Sequence, residues 1–99
     1  MARRGRFTRD EFGRAVGALM QDTGTTYRAL ADRTGLSAGY LNHLVHGNRP
    51  VPSNDVIATL AKALGVEPDH FLEVRIRTVT EKLGAMPDLT DRLYKRYGT

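Results

Sequence analysis

The chain has 99 residues, 40% hydrophobic and 26% charged, the range of one folded domain rather than a disordered segment. It has no cysteine, which excludes disulfides and thiolate metal sites, and no apolar run near the roughly 20 residues that cross a bilayer. Net charge is +4, and the excess sits in residues 1–50, where eight arginines face four acids; residues 51–99 balance seven bases with seven acids, so the basic half is the part expected to attract a polyanion.

Residues 1–7 read as a basic flexible arm. Its Arg3, Arg4 and Arg6 would wrap a duplex, lie in a minor groove, or hang free in solvent. No apolar segment follows the arm, so it is not a secretory signal. Thr8-Arg9-Asp10-Glu11 fits a capping box, with Phe7 and Phe12 at the staple positions. A helix is expected over about 9–23, turning Phe12, Val16, Leu19 and Met20 inward and ending at Gly24.

Thr26 caps a second helix of about two turns, with Leu30 and Ala31 facing inward. Gly35 turns the chain, Ser37 caps a third helix that runs to His46, and Gly47 stops it. Residues 48–52 form a loop stiffened by Pro50 and Pro52. Ser53 caps a fourth helix, in which Ile57, Leu60, Ala61 and Leu64 recur at helical spacing before Gly65 closes it.

Pro68 suits the first position of a fifth helix. Its stripe continues through Phe71, Leu72, Ile76, Val79 and Leu83, with a break near Glu73. Gly84 and Pro87 interrupt it, and a last helix is expected over about 88–97, carrying Leu89, Leu93, Tyr94 and Tyr97. Nothing alternates at period two, so the fold class is all-α.

Two short helices joined at a Gly-containing corner make a helix-turn-helix. The first braces the second, because Leu30 and Ala31 meet Leu41 and Leu44. Only a rigid helix holds register in a groove about 12 Å wide. The third helix has a polar side of Gly39, Asn42, His43 and His46. Ala38 and Gly39 are small enough for close approach, and the amides at Ser37 to Gly39 suit a phosphate. Asn42 can pair with adenine or stay solvated, and His43 and His46 can donate to phosphate or guanine. Tyr40 is partly core or reaches a phosphate with its hydroxyl, and Arg49, beyond Asn48 in the loop, is expected to face phosphate. The two histidines lack the further ligands a metal site needs, so no metal and no cofactor is expected.

Residues 26–72 resemble the XRE-type, lambda-repressor-like helix-turn-helix family. The resemblance rests on Leu30-Ala31, Gly35-Leu36-Ser37, Leu41, Gly47, Pro52-Ser53 and the run Ala61 to Val66. It implies a five-helix domain over 8–72 with a C-terminal helical extension over 73–99, binding double-stranded operator DNA as a homodimer. The tail 86–99 looks like tails of such regulators from actinobacteria. By position, Tyr27 stands where many relatives have a Gln that touches phosphate and braces a base-reading side chain. Ala38 and Gly39 stand where base-reading side chains often lie. With the residues read above, the contact set expected is Tyr27, Arg28, Ser37, Ala38, Gly39, Tyr40, Asn42, His43, His46, Asn48 and Arg49, with the arm arginines.

The function expected is a sequence-specific transcription regulator acting by repression, in the cytoplasm at the nucleoid and without a membrane partner. The alternative is an antitoxin or partner-binding adaptor of the same fold. The C-terminal apolar stripe would close the core, pair two copies or hold a protein partner. There is no Gly-rich phosphate loop, HExxH motif or activated nucleophile, so an enzyme is not expected.

Overall fold

The computed structural model describes residues 7–99, so Arg3, Arg4 and Arg6 lie outside the described part. Among the described residues six α-helices follow one another: α1 (Phe12–Thr23), α2 (Tyr27–Thr34), α3 (Ala38–Val45), α4 (Asn54–Leu64), α5 (Leu72–Gly84) and α6 (Pro87–Leu93). A 3-10 turn, Pro68–His70, precedes α5, and α6 widens into a π-turn over Tyr94–Gly98; the described residues contain no strand. The core is built from Phe12, Val16 and Leu19 of α1, Leu30 of α2, Leu41 and Leu44 of α3, and Ile57, Leu60 and Leu64 of α4. Phe71 closes it, with its ring 4.8 Å from that of Phe12.

The capping box does not form. Thr8 Oγ1 accepts from the amide of Asp10 at 3.2 Å, not from Glu11, and α1 starts at Phe12 with Glu11 as a cap residue that makes no side-chain bond. The cause is long-range. Thr8 is buried; its N–H donates to the His70 carbonyl at 2.9 Å, and its own carbonyl accepts from Arg75 Nη2 at 2.6 Å. A backbone committed to that distant segment cannot also wind into the first turn of α1. The orphan amide of Phe12 is capped instead from α5, by Glu73 Oε2 at 3.1 Å, which places a carboxylate at a helix N-terminus. Phe7 is half exposed and lies under the Arg75 guanidinium, 4.5 Å from ring centroid to Cζ.

The expected fifth helix is split. Phe71 is extended (φ −86°, ψ 134°), so the break comes two residues before Glu73. Extended backbone lets His70 and Phe71 both turn into the interior, edge to face at 5.3 Å. Arg75 gathers the carbonyls the break would leave open, those of Asp69 (2.9 Å) and His70 (2.8 Å). Arg77 reaches the Pro52 carbonyl at 2.9 Å and Asn54 Oδ1 at 2.7 Å, tying α5 to the start of α4.

Beyond Leu72 the apolar stripe does not close the core. No residue of α5 or α6 is buried, and Ile76 and Val79 are each more than half exposed. The last helices fold back on each other instead, where Thr90 Oγ1 donates to the Leu83 carbonyl at 2.7 Å.

Candidate nucleic-acid interface

The corner forms as the sequence requires. Thr26 caps α2 by accepting from the Ala29 amide at 3.1 Å, and Ser37 caps α3 by accepting from the Tyr40 amide at 3.0 Å. Gly35 ends α2 at φ +77°, a conformation that side-chain-bearing residues resist. The turn is held from within: Thr34 Oγ1 donates to the Leu30 carbonyl (2.7 Å) and accepts from the Leu36 amide (3.2 Å).

Leu41 and Leu44 anchor α3 in the core, and the opposite side is bare. Ser37, Ala38, Gly39, Asn42, His43 and His46 are all exposed, and a Cβ built on Gly39 would meet no atom within 4 Å. Arg28, Asn48 and Arg49 are exposed on the flanking segments. Tyr27 and Tyr40 are half-buried and pack against the core, so each offers only its outer edge. Gly47 takes φ +76°, and the Asn48 amide folds back onto the His43 carbonyl at 2.8 Å; these hold the loop that carries Arg49 against the end of α3.

His46 is narrower in its chemistry than its residue type suggests. It is the C-cap of α3, and its Nδ1 lies 2.8 Å from the Asn42 carbonyl. A carbonyl only accepts, so Nδ1 carries the proton, and Nε2 is the one polar atom left to face outward. In the neutral ring that atom is an acceptor. It donates to a phosphate or to guanine only when the imidazole is charged.

A helix-turn-helix domain model matches residues 11–74, well over half of the chain and all of α1 to α4. The chain belongs to the helix-turn-helix domain family. Among solved structures it is similar to the clp gene regulator ClgR from Corynebacterium glutamicum, at 28% identity and a TM-score of 0.56, over 88% of this chain and 90% of that one. A search of curated proteins found no match. In this helix-turn-helix protein the resemblance read from the Leu30 to Val66 motifs stands, and the all-α class with it.

Sequence reasoning missed the supports of the interface. Glu73, Arg75 and Arg77 act through contacts tens of residues away in the chain, which no local pattern announces. Gly13 and Gly17 did leave a signal. Glycine inside a helix costs up to about 1 kcal/mol relative to alanine, so two of them one turn apart point to a close backbone approach.

Proposed function

We propose that this protein is a sequence-specific DNA-binding transcription regulator that represses by occupying an operator. The supporting observation is the bare polar side of α3, held rigid by Leu41 and Leu44 and capped at Ser37. In this reading α3 enters the major groove, where Asn42 and His43 meet base edges and Ala38 meets a thymine methyl. Arg28, Arg49 and the α3 N-terminal amides hold phosphates and set the register. Residues 1–7 serve as the arm, 8–72 as the reader and 73–99 as the extension. The face formed by half-buried Leu72 and exposed Ile76 and Val79 pairs two copies, because two-fold related readers match the half-sites of an operator.

Selection of bound duplexes from a random pool tests the reading. The wild type should enrich two half-sites about 10 base pairs apart, or a multiple of that. Asn42→Ala with His43→Ala should relax the choice at the bases those residues meet, at roughly 1–3 kcal/mol per lost pair. A single unpaired site would favour the alternative, in which the extension holds a different protein. No enrichment at all would remove the DNA-reading role.

A further inference from the structure

The two glycines of α1 sit against the end of the reading helix. A Cβ built on Gly13 would fall far inside contact distance of the Leu44 carbonyl oxygen and 3.1 Å from that of Val45. One turn later, a Cβ on Gly17 would lie 3.0 Å from Val45 Cγ1. The obstacle at Gly13 is backbone, which cannot swing aside; at Gly17 it is a side chain, which can. Leu44 cannot retreat into the core either, because it is buried and its carbonyl already accepts the Gly47 amide at 3.1 Å. Gly13 also shares a cleft with Leu44, Gly47 and Arg49, so this contact adjoins the loop that carries the exposed guanidinium.

We propose that Gly13, with Gly17 in a lesser role, is a positioning residue that sets how deeply the C-terminal end of α3 seats and where the 47–49 loop points. The proposal rests on the DNA-reading role and adds to it that the depth of the reading helix is fixed from α1. A side chain at residue 13 would lift the end of α3 away from α1. His43, His46 and Arg49 would shift together, while the charges themselves would stay. Contacts to base edges depend on where the reading side chains are placed, whereas diffuse phosphate attraction does not. Specific and non-specific binding should therefore separate.

The probes are a duplex enriched by the wild type and a scrambled duplex of the same length. Gly13→Ala should keep its helical circular dichroism, lose roughly tenfold or more affinity for the enriched duplex, and change by less than about twofold on the scrambled one. Gly17→Ala should show a smaller loss of the same kind, restored when Val45→Ala is added to make room. If Gly13→Ala does not fold, the Gly17 and Val45 pair decides: a loss that Val45→Ala repairs supports the proposal. Unchanged affinity for the enriched duplex, or equal losses on both duplexes, overturns it. If the wild type enriches no duplex, the underlying reading fails first and the proposal with it; enrichment with indifferent glycine variants overturns the proposal alone.

Discussion

Phe71→Ala should lower the unfolding free energy by about 3–5 kcal/mol. The ring is fully buried, lies 4.8 Å from Phe12 and takes the edge contact with His70. It is also the residue at which the chain leaves the 3-10 turn and enters α5, so a cavity there cannot collapse without moving the break itself. A domain of this size holds only about 5–15 kcal/mol in total. The variant should therefore unfold at a much lower urea midpoint or fail to fold at all. Tyr97→Ala, which removes a ring of similar size that is 72% exposed, should leave the midpoint unchanged. Equal midpoints for Phe71→Ala and wild type would mean that the core closes without Phe71.

The second large effect is on salt. If about five phosphates are neutralised per dimer, the logarithm of the affinity falls against that of salt concentration with a slope of about −4 to −5. Raising salt from about 50 to 200 mM then weakens binding by roughly two and a half decades. Arg49 is central to this expectation, being exposed and held beside the end of α3 by the Asn48 to His43 bond. Arg49→Ala should reduce the slope by about 1.8 in a dimer, one contact per copy. A flat response in an anisotropy titration on an enriched duplex would remove phosphate contact as the source of affinity.

The reader was legible in the sequence because its signals are local. Thr26, Ser37 and Ser53 cap the helices that follow them, and Leu30, Leu41 and Leu60 take the buried positions their spacing assigns. The entry to α1 was not legible for the opposite reason. A capping box is a local preference of about 1 kcal/mol. Here it loses to the bonds that draw Thr8 to His70 and Arg75 and bring Glu73 to the Phe12 amide. The stripe of α5 misled in another way: period alone gives the side on which apolar residues gather, not what lies opposite. Ile76 and Val79 keep the spacing of a core helix and meet no core. At the interface, residue types gave the outward set, yet the bond that restricts His46 depends on how α3 ends, which a list of polar residues does not contain.

The three side chains that moor α5 have a mechanical meaning. Glu73 holds the head of α1, Arg75 holds the strand of chain entering it, and Arg77 holds the threshold of α4. A chain severed after residue 72 would lose all three ties at once, and with them the frame around the reading helix. The inner half of α5 is thus a clamp rather than an appendage, fastened at once to the entry of α1 and the start of α4.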